Sequence, residues 1–138
     1  MEIEYVEEYI YLGEIVSTTD AISKKIERRT TNAWNRYWMF KEVMKSKDMP
    51  MKYKQKVFDM CILPILTYGS QTWALTQKLE QKLAICQRSM ERSMLHVKRL
   101  DKIRNESLRK ETNITDVKVK IRKLKWKWAG HVCRQKQD

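Results

Sequence analysis

Between Asp20 and Lys47 the chain reads DAISKKIERRTTNAWNRYWMFKEVMKSK, and this stretch decides the fold class. Ile22, Ile26, Arg29, Ala33, Tyr37, Phe40 and Met44 recur at three- and four-residue steps, which is one face of a helix with 3.6 residues per turn. Thr19 or Asp20 can cap it, and Asp48-Met49-Pro50 ends it with Pro50 placed to open the next helix. That second helix shows Tyr53, Val57, Met60, Cys61, Pro64, Ile65 and Tyr68 on one side. Its apolar end, Met60 to Leu66, predicts burial, Pro64 predicts a kink or early stop, and Gly69 closes it ahead of Trp73. Thr76 caps a third helix with the stripe Leu79, Leu83, Cys86, Met90 and Met94. Asp101 begins a shorter helical piece to about Lys110, and Thr115 caps a last helix striped by Val117, Ile121, Leu124, Trp128 and His131.

Upstream, Ile3 to Val16 is dominated by aromatic and β-branched residues around a lone Gly13, which reads as a short strand pair. Two strands alone are marginal, so the ribbon needs a neighbour to pack on. The expected fold class is therefore mainly α: a short N-terminal β-ribbon followed by a helical bundle of about five helices. The expected organisation is a ribbon over 1–18, a helical domain over 19–110 and a basic helix over 111–138.

Composition narrows the function. The 138 residues hold 42% hydrophobic and 33% charged side chains, with 3 Gly and 2 Pro. That balance suits a folded chain and excludes collagen-like, low-complexity and many-turned β-sandwich proteins. No apolar run reaches the roughly 18 residues of a membrane span. The opening glutamates (Glu2, Glu4, Glu7, Glu8) are the reverse of a signal peptide's basic start. An intracellular protein with no membrane partner is expected. Cys61, Cys86 and Cys133 are odd in number and widely spaced, and His96 and His131 are isolated. Buried free thiols are expected, with no metal site and no cofactor.

The charge is uneven. Residues 1–75 carry 11 basic and 10 acidic side chains, whereas 76–138 carry 18 and 7. A net +11 over the second part exceeds what solubility requires and points to a polyanion. On the last helix Lys118, Arg122 and Lys125 share a face at i, i+4 and i+7, and Trp126 stands among the lysines, either to stack on a base or sugar or to pack against another lobe. Lys24, Lys25, Arg28 and Arg29 form a second cluster. Cations in such groups neutralise phosphates with little regard to base sequence. Catalysis is poorly supported: the acidic residues are scattered, no glycine-rich phosphate loop is present, and neither histidine has a nearby nucleophile in sequence.

Three segments then add a family likeness: Tyr11-Leu12-Gly13 before a capped helix, Leu63-Pro64-Ile65-Leu66-Thr67-Tyr68-Gly69-Ser70-Gln71-Thr72-Trp73, and Trp128-Ala129-Gly130-His131-Val132-Cys133-Arg134. In this order they resemble the region just after the palm in reverse transcriptases of LINE-type (non-LTR) retrotransposons, over essentially the whole chain. The resemblance implies that Tyr11, Leu12 and Gly13 form a primer-grip-like hairpin at the end of the palm. It implies that the helices form the thumb, which holds an RNA–DNA hybrid by its backbone, and that the last motif leads to a C-terminal domain. The catalytic aspartates of such RNA-directed DNA polymerases lie upstream, so the fragment is expected to be inactive alone. Gln71 departs from the acid that many relatives carry there. Implied partners are RNA, DNA or their hybrid and an upstream palm of the same polyprotein, with a nuclear location. Apart from the resemblance, the Met- and aromatic-rich stripes and the orphan ribbon make a second copy of the chain a further expected partner. The alternative is a helical protein-interaction or oligomerisation module derived from a retroelement.

Overall fold

In the computed structural model, which describes residues 3–4, 8–11, 14–17 and 21–135, the first amphipathic stretch forms α1 (Ala21–Met39). Ile26, Ala33 and Tyr37 are fully buried along it. The helix does not run straight to Lys47: Phe40 leaves helical geometry (φ −100°, ψ 22°) and α2 (Lys41–Met44) follows as one turn. Phe40 stays packed against the core across this break, and Met44 beyond it is fully buried. The proposed caps Thr19 and Asp20 lie outside the described residues.

The second helix is a continuous rod made of α3 (Met51–Val57), a π-helical turn (Phe58–Ile62) and α4 (Leu63–Leu66). Pro64 explains the π turn. A proline has no N–H to offer the carbonyl four residues back, and its ring crowds that carbonyl. Widening the preceding turn, with the Leu63 N–H reaching the Phe58 carbonyl, accommodates this without stopping the helix. Burial of the whole Met60–Leu66 run is corrected: Phe58, Ile62, Leu63 and Leu66 face inward, while Met60 is 75% exposed. Gly69, at φ 77°, reverses the chain into a 3₁₀ turn (Ser70–Thr72) that delivers Trp73 to the core.

α5 (Gln77–Met94) starts at the expected cap, where Thr76 Oγ1 accepts from the Leu79 N–H at 3.3 Å. Leu83, Cys86, Met90 and Met94 are buried along its inner face. Its C-terminal carbonyls receive two ammonium groups, Lys45 Nζ on Ser93 O and Lys54 Nζ on Met94 O, both at 3.1 Å. Tyr37 Oη donates to Ser93 Oγ at 2.7 Å and ties α1 to the same end. α6 (Asn105–Thr112) begins later than Asp101, because Arg99–Asp101 closes a separate 3₁₀ turn and Lys102 turns left-handed at φ 53°. α7 (Val117–Gln135) completes the described chain.

The expected ribbon with about five helices is corrected. The fold class is mainly α, with six helices among the described residues when Met51–Leu66 is taken as one. A β layer is not part of it. Two four-residue strands, β1 (Glu8–Tyr11) and β2 (Glu14–Ser17), pair antiparallel with each other and with no third strand among the described residues. The core is built by helices and the 3₁₀ turn, from Ile26 and Tyr37 through Phe58, Ile62, Trp73, Leu83 and Met90 to Val117 and Ile121. Of the free thiols, Cys86 is buried and its pKa is pushed up to about 11 by desolvation, whereas Cys61 is half-buried and Cys133 exposed. No helix among the described residues is long and apolar enough to cross a membrane.

Candidate nucleic-acid interface

α7 is buried at one end only. Val117 and Ile121 enter the core, and no described side chain beyond Ile121 is buried. The root is fixed by Asp116, not by Thr115. Asp116 Oδ1 accepts from the Lys118 N–H at 2.8 Å, which caps the helix, while Thr115 N–H and Oγ1 donate to Asp59 at 3.0 and 3.2 Å.

A buried polar network seats that root on α5. Arg88 donates to Glu91 Oε1 at 2.5 Å and to Asp116 Oδ2 at 2.9 Å, and Arg109 reaches Asp116 Oδ2 at 2.6 Å. Gln87 bridges both sides, accepting from the Val117 N–H at 2.9 Å and donating to the Thr115 carbonyl at 2.6 Å. Glu91 is fully buried, and desolvation holds its carboxyl above the usual range despite Arg88 beside it.

The sequence-derived cations fall into different settings. Arg29 is buried, with its guanidinium carbon 4.6 Å from the centroid of the Tyr68 ring. Lys24, Lys25 and Arg28 are half-buried on α1. On α7, Lys125 donates to the Trp73 carbonyl and so clamps the helix to the 3₁₀ turn. Lys118 lines a cleft of about 900 Å³ between α5 and α6 that it shares with Arg92, Arg99 and Arg109 and with the acids Glu106 and Asp116. Arg122 is exposed beside it, and Trp126 is 79% exposed on the side away from the core. Tyr11 ends β1, while Leu12 and Gly13 lie outside the described residues.

Three- and four-residue steps bring out one flank of α7 and pass over the other. Lys120, Lys127 and Arg134 return to one side at seven-residue steps, drifting only about 20° per step. A cleft of about 550 Å³ brings Lys120 together with Lys25 of α1 and the Tyr68–Thr72 turn. A second space of about 260 Å³ shares Gln71 and Leu124 with it and continues along Lys127, Trp128, His131 and Arg134. Neither is lined by an acidic side chain. The signal was the repeat 120–127–134, which a search for three- and four-residue steps passes over.

The chain is 31% identical over 139 residues to an uncharacterized transposon-derived protein of Caenorhabditis elegans, covering 98% of this chain and 50% of the relative. The likeness points to a transposon origin. The chain spans about half the length of the curated relative it matches. No family model and no solved structure matches the chain.

Proposed function

We propose that this chain is the nucleic-acid-binding thumb and linker of a retroelement reverse transcriptase, holding an RNA–DNA hybrid by its phosphates while an upstream palm performs the metal-dependent step. The observation that carries this reading is α7 itself. It bears seven cations and no acid from Val117 to Gln135, and past Ile121 none of its side chains is buried. Its kinship with a transposon-derived protein supports the same reading. A helix of this kind matches a phosphate chain by charge alone, so affinity should be high at low salt and nearly blind to sequence.

The duplex-facing residues are Lys118 and Arg122; Lys125 is held by the Trp73 carbonyl. The experiment is titration of a blunt RNA–DNA hybrid against the chain and against the double variant Lys118→Glu/Arg122→Glu at several salt concentrations. The variant should bind at least tenfold more weakly at low salt, with a log–log salt slope reduced by about 2. Equal affinity and equal slope would rule the assignment out.

A further inference from the structure

On the other flank of α7, we propose that the groove along Lys120, Lys127, Trp128 and Arg134 takes a single-stranded nucleic-acid segment with one unstacked base against the Trp128 ring. The inference rests on the reading above and adds a second site for a different form of nucleic acid. Three observations carry it. The two clefts share Gln71 and Leu124, so they form one path from the Tyr68–Thr72 turn to the outer end of α7. Cations stand at regular steps along that path with no lining acid to neutralise them.

The third observation concerns Trp128. It is 46% exposed within the narrower space, with its ring centroid 5.9 Å from that of His131 at a tilt of 34°. A space of about 260 Å³ is too small to admit a duplex, whose bases are closed inside their stack. It suits one base of a strand whose π faces are free. A cationic groove with an aromatic platform is the arrangement that binds single strands without sequence readout. The flank used by Lys118 and Arg122 lies about half a turn away around the helix, so both segments can be held together.

The test compares a blunt RNA–DNA hybrid with the same hybrid carrying an eight-nucleotide single-stranded extension, in separate RNA and DNA arms, using the full chain. The extension should tighten binding about tenfold. Trp128→Ala should abolish that gain while leaving the blunt hybrid's affinity unchanged, and Trp128→Phe should keep most of it. No gain from either extension, or a gain that survives Trp128→Ala, overturns the proposal. A free eight-nucleotide strand separates the two readings. If it binds in a Trp128-dependent way while the blunt hybrid does not bind, the groove stands and the duplex assignment falls. If the hybrid binds and neither extension adds affinity, the reverse holds.

Discussion

Replacing Arg88 by methionine removes the guanidinium that binds Glu91 and reaches across to Asp116. Arg88 donates at 2.5 Å to Glu91 Oε1, and Glu91 is fully buried, so its carboxylate loses its direct counter-charge without gaining water. Asp116 keeps Arg109 and the Lys118 N–H and suffers less. Breaking a buried pair from one side costs about 3–5 kcal/mol. For a chain of 138 residues each kcal/mol moves the melting midpoint roughly 3–5 °C, so a loss of about 10–20 °C is expected. Removing both partners in Arg88→Met/Glu91→Leu leaves no orphan charge and should recover at least half of that. The penalty should also depend on pH. The folded chain holds a proton on Glu91 more readily than the unfolded chain, whose carboxyl titrates near 4.5. Stability therefore falls as pH rises through that window, and the Arg88→Met deficit should be smaller at pH 5 than at pH 8. Thermal melts by circular dichroism across pH measure all of this. A deficit below about 1 kcal/mol, or a double variant no more stable than the single, refutes the account.

Two further predictions concern the turns and ends that place α7. Gly69→Ala should cost about 1–2 kcal/mol in urea unfolding, because the backbone there sits at φ 77°, and Gly69→Asn should cost less. Lys54 has its pKa lowered, first by burial and then by Lys45, so the folded chain releases its proton earlier than the unfolded chain. Stability should then rise with pH in the range just below 10.5, and Lys54→Met should flatten that rise; an unchanged slope counts against the burial argument.

How much could be read from the sequence follows from which forces are local. Helix positions and the Thr76 cap were legible because three- and four-residue apolar steps and a hydroxyl one residue before the first turn are short-range signals. The break at Phe40 was not, since tertiary packing of Phe40 and Met44 decides it. Pro64 predicted a disturbance but not its form, because a π turn depends on which neighbours can use the displaced carbonyls. Thr115 looked like the α7 cap, yet Asp59 claims it from 56 residues away and leaves the role to Asp116. On α7, charge and spacing singled out Lys118, Arg122 and Lys125 as candidates. They could not reveal that Arg29 lies over Tyr68 or that Lys125 is taken by a carbonyl.

The disposition of carboxylates around α7 links stability to the proposed binding. Lys118 with Arg122, and Lys123 with Lys127, are like-charge pairs at i,i+4, each costing a few tenths of a kcal/mol in an isolated helix. A surface helix usually relieves such pairs with interspersed acids, and α7 has none. The nearest acid in sequence, Asp116, is consumed at the root by Arg88, Arg109 and the helix cap. The helix is therefore held by what lies beneath it: Val117 and Ile121 in the core, the Gln87 bridge, and the Lys125 clamp on Trp73. That anchoring offsets the repulsion and fixes the helix backbone that carries the cations. A phosphate chain laid along one flank would relieve the repulsion and find the helix already in place, so only the side chains would have to be ordered on binding. The buried Arg88–Glu91–Asp116 network thus has a consequence at the surface: it holds the acid nearest α7 in sequence at the root, and the clefts along Lys120, Lys127 and Arg134 are left with no lining acid.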